Sequence, residues 1–158
     1  MKSIGILNLR HVAIILGLFV LAAYRPCIAK QPNVVLVIAD DQSWFDAGCY
    51  GSQVVKTPNI DKLAREGMRF DRAFTATAMC APTRQRLYTG LFPVRNGAFP
   101  NHSKVKPGTK SLVHYFQEAG YSVGLCGKKH FGPAESFPFE AVPNKQLNEF
   151  VKQKAPFF

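Results

Sequence analysis

Cys80-Ala81-Pro82-Thr83-Arg84 opens the run CAPTRQRLYTG, which ends at Gly90. A cysteine, then alanine, then a proline of the kind that starts helices, then an arginine one turn on, predicts a sulfur atom at a helix N-terminus beside a fixed cation. The dipole and the unpaired amides of a first turn attract anions, and the guanidinium fork matches the oxygens of sulfate or phosphate. Taken alone, the same letters describe a buried cysteine ahead of an ordinary amphipathic helix, so the reading turns on the surroundings.

Upstream, Val34-Val35-Leu36-Val37-Ile38-Ala39 is a continuous apolar, largely β-branched run. Such a run predicts a strand buried on both faces, as in a parallel sheet covered by helices. Asp40 and Asp41 follow at once. The carboxyl end of a buried strand is where open α/β sheets hold ligands, and two adjacent carboxylates repel unless something positive joins them. A hard divalent cation with oxygen ligands satisfies that need; a solvated turn with helix-capping acids is the plainer alternative.

Downstream, Tyr121–Leu125 reads as a second buried strand, and Gly127-Lys128-Lys129-His130-Phe131-Gly132-Pro133 leaves its end. Lys128 and His130, two positions apart on an extended segment, point to one side and can converge on an oxyanion; a basic turn is the alternative. Between these sites lies scaffold. Gly48–Gly51 is a turn-rich loop, Thr57-Pro58 starts a helix with Ile60, Leu63 and Ala64 on one face, and Gly67 ends it. Met68–Thr75 alternates as a strand does, and Ser111–Ala119 reads as a short helix with Leu112, Tyr115 and Phe116 on one side. Gly90 and Pro93 break the chain, with a turn at Arg95-Asn96-Gly97. Asn101-His102-Ser103 has the form of a glycosylation sequon. His102 and His114 are expected as a loop polar residue and a helix-surface residue. Leu147–Lys154 is expected as a helix with Phe150 and Val151 inward, before a further strand at Phe157-Phe158.

The chain has 158 residues, a formal net charge of +10 and 47% hydrophobic residues, a globular rather than disordered composition. Lys2 and Arg10 form a positive n-region, Val12–Ala23 a short apolar segment, and Cys27-Ile28-Ala29 a small-residue cleavage site. The apolar run falls short of the roughly 20 residues of a membrane span. A cleaved signal peptide over residues 1–29 and an exported product are therefore expected, with no stable membrane anchor. Losing Lys2, Arg10 and Arg25 would leave 17 basic and 10 acidic side chains. The scattered lysines and arginines carry no nucleic-acid motif, whereas a polyanionic sugar exploits the same field. Cys49 and Cys126 are expected as separate buried thiols, and no zinc-type cluster is present.

CAPTR followed by LYTG resembles the sulfatase pattern Cys-x-Pro-x-Arg then Leu-x-Thr-Gly, with Thr83 where serine is commoner. TPNIDKLAREGMRFDRAF is similar to sulfatase scaffold, and GKKHFGP to the family's Gly-Lys-x-His-x-Gly. The resemblance covers residues 32–158 and implies the N-terminal part of an alkaline-phosphatase-like α/β fold, a mainly parallel sheet flanked by helices, truncated relative to the whole enzyme. It implies that Cys80 is oxidised to formylglycine by a maturation enzyme that reads Pro82 and Arg84. It further implies that Asp40, Asp41 and residue 80 share a calcium ion, and that Arg84, Lys128 and His130 face the modified residue and the sulfate. GKKHFGP with the following FPFE is similar to the heparan N-sulfatases, which implies sulfated amino sugars as substrates, O- or N-sulfated. The expected activity is sulfate ester or N-sulfate hydrolysis by an enzyme of which this chain is an incomplete fragment. A phosphatase or phosphonate hydrolase of the related superfamily, and a non-catalytic remnant that binds sulfated glycan, are the readings from other classes.

Overall fold

The computed structural model describes residues 30–153 and 155–158. One compact unit runs from Pro32 to Phe158; the other, Met1–Gln31, lies almost wholly outside the described residues, and so does the expected signal peptide.

Two short strands pair in parallel, β1 (Gly124–Leu125) and β2 (Glu140–Ala141), with Gly124 opposite Glu140 and Leu125 opposite Ala141. On the other edge of β1, Ser122 bridges Phe157 in the same sense, and Val34 donates from its amide to Phe157 O at 2.9 Å. The segments therefore lie in the order 34, 157, 122–125, 140, which is a small parallel arrangement with helices around it. β2 was not foreseen from sequence, because two residues between Phe139 and Val142 carry no period of their own.

The run 34–39 is extended but forms no strand among the described residues, and Val35 and Val37 are 73% and 85% exposed. That corrects the expectation of a strand buried on both faces. Such burial requires a partner on each edge and a helical layer on each face; here one backbone bond reaches Phe157, Ile38 alone packs against the core, and the face of Val35 and Val37 stays uncovered. A groove of about 360 Å³ follows the run, with Leu36, Tyr88, Leu125, Phe139 and Phe150 in its walls. Met68–Thr75 is likewise irregular and exposed rather than a strand, held at Phe70 by the Tyr50 hydroxyl, which donates to Phe70 O at 2.8 Å.

Helix α1 (Pro58–Glu66) starts at the expected proline and stops at Gly67. Thr57 does not cap it with its side chain; its hydroxyl accepts from Gly48 N at 2.8 Å and donates to Asp61 Oδ1 at 2.9 Å. Asp61 Oδ1 also takes Cys49 N at 2.7 Å, which pins the turn of 3₁₀ helix Gly48–Tyr50 onto α1. A Cβ on Gly48 would sit 2.5 Å from Asp61 Oδ2, so only glycine permits this approach.

Helix α2 (Cys80–Thr89) begins at Cys80 itself, with Met79 at the N-cap and Pro82 at the third position. Gly90, at φ 68°, closes it by donating to Arg86 O at 2.8 Å. The turn expected at residues 95–97 is the end of a single-turn helix, α3 (Pro93–Asn96). Helix α4 (Leu112–Glu118) is started by buried Ser111 in a capping box whose other member is His114, the ring Nδ1 accepting from Ser111 N at 3.2 Å. His114 thus closes a helix rather than decorating its surface. Val113 is the fully buried residue of α4, and Tyr115 faces solvent. Phe116 stacks on Phe158 with ring centres 4.4 Å apart, tying α4 to the sheet. Helix α5 (Leu147–Phe150) buries Phe150 as expected but is only one turn long.

The core is aromatic. Tyr88 of α2 packs with Ala98, Val105 and Phe137, and Phe131 and Phe139 close against it. The Tyr88 ring meets Phe131 edge-on at 5.5 Å and Phe139 at 5.2 Å, a geometry that adds to area burial. This cluster fixes the face of α2 that carries Arg84 relative to the loop that carries Lys128 and His130.

Candidate functional site

Burial along α2 takes Ala81, Arg84, Gln85 and Tyr88, one helical face, together with Pro82 in the first turn. Arg84 is a cation taken almost wholly out of water, and it needs partners. It finds them far along the chain. Nη2 donates to Asp40 Oδ1 at 3.2 Å and Nη1 to Lys128 O at 3.3 Å. Lys128 Nζ donates to the other oxygen, Asp40 Oδ2. Three of the predicted residues thus meet, drawn from segments 44 and 88 residues apart. Cys80 stands half-buried at the first position of α2, its thiol directed to Asn101 Oδ1 at 3.7 Å.

Asp40 is held below the ordinary carboxylate range, first by the hydrogen bond from Lys128 and then by that from Arg84. Lys128 is raised above the ordinary lysine range, chiefly by Asp40. The signs define a window. A lowered acid contributes stability above its unfolded pKa and loses it as pH falls through the folded value. A raised base contributes below its unfolded pKa and loses it as pH rises through the folded value. The Asp40–Lys128 tie is therefore expected to persist from the acid side of ordinary carboxylates to the alkaline side of ordinary lysines. Carboxyl carbon shifts followed by NMR should show Asp40 titrating below the exposed aspartates; a midpoint among or above theirs would contradict the tie.

His130 lies near this group, with its backbone left-handed, φ 49°, so strand alternation does not set where its ring points. Its Nε2 lies 2.9 Å from Nδ1 of His102, with the ring centres 4.8 Å apart. Burial lowers its pKa first, followed by its neighbours, the cations Lys128 and Arg84 among them. Asp41, at φ 55°, is exposed at the end of the extended run. No group of three or more His, Cys, Asp or Glu able to hold a metal occurs among the described residues. The donor chemistry fits a divalent cation only in part: Asp40 and Asp41 are hard oxygen donors, but both oxygens of Asp40 are already taken by positive side chains. A calcium shell takes six to eight oxygens, more than these residues supply.

Three residues at the site were not assigned to it from sequence. Asn101 and His102 had been read as a sequon and a loop polar residue. Asn101 Oδ1 instead accepts from Cys80 Sγ and, at 3.1 Å, from His102 N. Gln85 is fully buried, and all four of its amide valences are used. Nε2 donates to Ala81 O at 3.3 Å and Ser103 O at 2.9 Å, while Oε1 accepts from Val105 N at 3.2 Å and Gly132 N at 3.3 Å. It binds α2 to the 101–105 turn and to the 130–132 loop. The signal was legible: position 85 lies on the helix face of Ala81 and Tyr88, and a polar residue there has to be satisfied internally. Cys49 and Cys126 are both free as separate thiols, but neither is buried as expected: Cys49 is half-buried, and Cys126 is exposed with its thiol donating to Asn144 Oδ1 at 2.8 Å.

The family model described as Sulfatase matches residues 32–156. The chain belongs to the sulfatase family. This sulfatase chain is 42% identical over 113 residues to the ulvan-active sulfatase of Formosa agariphila, covering 72% of its own length and 23% of that protein. It is 37% identical over 119 residues to the human N-sulphoglucosamine sulphohydrolase, covering 72% and 24%. Among solved structures it resembles one determined with its substrate D-glucosamine-2-N,6-O-disulfate, at TM-score 0.61 and 35% identity over 64% of this chain and 20% of the other. A 2-O glycosaminoglycan sulfatase matches at TM-score 0.65 and 24% identity, over 72% of this chain and 26% of that one, and supports the fold. The chain spans about a quarter of the length of the curated relatives it matches. Among the described residues no helix is long and apolar enough to cross a membrane.

Proposed function

We propose that this chain carries the nucleophile-bearing part of an exported, formylglycine-dependent sulfatase that hydrolyses sulfate esters or N-sulfates of sulfated sugars. The observation that carries the reading is the meeting of Asp40, Arg84 and Lys128 beside the first turn of the helix that begins at Cys80. The sugar class is supported by relatives whose substrates are ulvan and N-sulphoglucosamine, and by the structural neighbour bound to a disulfated glucosamine.

Formylglycine at position 80, made by a maturation enzyme, would supply a hydrated aldehyde whose hydroxyl attacks sulfur, and a divalent cation such as calcium would supply positive charge beside it. Asp40 and Asp41, with residue 80, would hold part of that cation's shell. The chain's own residues do the rest. The α2 amides at residue 80 favour negative charge. Arg84, immobilised by burial, and Lys128 are placed to balance charge on the sulfuryl oxygens as it grows in the transition state. Asn101 orients the side chain at position 80. His130, its pKa lowered by burial and nearby cations, is suited to take up a proton during release of sulfate.

Mass spectrometry of the peptide containing residue 80, after co-expression with a formylglycine-generating enzyme, tests the reading. The expected product is the aldehyde in place of the thiol; an unmodified cysteine in every molecule would overturn it.

A further inference from the structure

His102 and His130 face each other, and both hold left-handed backbones, φ 63° and 49°. For residues other than glycine this conformation carries strain, and strained residues that persist in pairs point to a task. Nε2 of His130 and Nδ1 of His102 are 2.9 Å apart, so a single proton lies between them. The remaining nitrogen of His130, Nδ1, is buried and without a hydrogen-bond partner. If His130 donates from Nε2, the orphaned Nδ1 is a bare lone pair. The opposite arrangement buries an N–H with nothing to accept it, the rarer defect in folded proteins.

We propose that His102 is a positioning residue that locks His130 in its Nε2–H tautomer and so keeps His130 Nδ1 bare as the site's proton acceptor. The hydrogen bond between the rings does the locking, since the partner of one imidazole nitrogen sets the state of the other. The turn that carries His102 is held for this task. Asn101 Oδ1 takes the His102 amide, Ser103 N donates to Pro100 O at 3.2 Å, and buried Gln85 grips Ser103 O from α2. The same Gln85 accepts from Gly132 N, two residues beyond His130, so both histidines are referred to one fixed amide. The role of the bare nitrogen in turnover rests on the sulfatase reading above; the tautomer does not.

Two substitutions keep the backbone. Glycine and asparagine both accept a φ near 63°, but only His102→Asn retains an acceptor in place of Nδ1. In the full-length protein labelled with 15N-histidine, long-range proton–nitrogen correlation at neutral pH should show His130 protonated at Nε2 alone in the wild type and in H102N, and as a tautomer mixture in H102G. On an aryl sulfate, kcat of H102G is expected to fall about tenfold to a hundredfold with KM little changed, by analogy with residues that orient a metal-bound histidine, and to recover in H102N. A His130 tautomer that is unchanged in H102G, or protonated at Nδ1 in the wild type, overturns the proposal. The expected tautomer pattern in a protein that turns over no sulfate ester supports the lock and overturns the functional reading instead.

Discussion

Replacing Cys80 by alanine in the full-length protein is expected to reduce hydrolysis of an aryl sulfate by at least about 10⁴-fold, the scale on which enzymes lose turnover with their nucleophile. Stability should be nearly unchanged. Cys80 is only half-buried, its thiol makes one weak contact to Asn101, and α2 gains its buried face from Ala81, Arg84, Gln85 and Tyr88. Cys80→Ser separates two explanations of the loss. A serine hydroxyl can attack sulfur, its proton leaving with the departing alcohol, but the resulting sulfate ester has no second hydroxyl with which to expel sulfate. The serine variant should therefore react once and stop, leaving a sulfated serine detectable in the peptide. Turnover by C80A within about tenfold of the wild type would remove residue 80 from the chemistry.

Gln85→Leu is expected to be the most damaging substitution for stability. It keeps a similar volume and leaves four backbone groups, Ala81 O, Ser103 O, Val105 N and Gly132 N, without the amide that satisfies them. An abandoned buried donor or acceptor costs about 1–3 kcal/mol; some relaxation is allowed for, and roughly 3–5 kcal/mol is expected in all. That is a large share of an ordinary domain's stability. Gln85→Glu keeps the acceptor for Val105 N and Gly132 N but buries a carboxylate against Ala81 O and Ser103 O, so its loss should be comparable to that of Gln85→Leu. Denaturant midpoints of the full-length protein measure both. A Gln85→Leu loss below about 1 kcal/mol would mean that water or the backbone takes over the four bonds, and that the three segments are joined by packing around Tyr88 alone.

The contrast between the two predictions shows where the sequence was readable. Residue 80 stands out because a cysteine before Pro82 and Arg84 at a helix start is chemically unusual, and its meaning is local. Gln85 sits between two arginines, and only its helix position marks it as inward; the carbonyls and amides it satisfies, 18 to 47 positions away, are not written in its neighbours. The same division holds elsewhere. The start of α1 at Pro58, the stop of α2 at Gly90 and the inward turn of Phe150 follow from nearest neighbours. The extended run after Pro32 was misjudged because an apolar β-branched stretch states a tendency to be covered, and coverage belongs to whatever else packs on it. The orientation of His130 could not be read from its spacing to Lys128, since the i, i+2 rule presumes a strand and its backbone is left-handed.

By itself the sequence determined where the chemically unusual groups of this sulfatase chain fall: Cys80 at a helix start, Arg84 one turn on, carboxylates closing an apolar run, and a lysine and histidine two positions apart. Those are properties of residue type and short-range geometry, which sequence carries directly. Only the tertiary structure decided that Asp40 is shared by Arg84 and Lys128, that His130 turns to His102, and that Gln85 fastens the three segments together. Such pairings rest on burial, because a charge or amide withdrawn from water must be satisfied by whatever the fold brings within reach, and the fold draws on residues that are far apart along the chain.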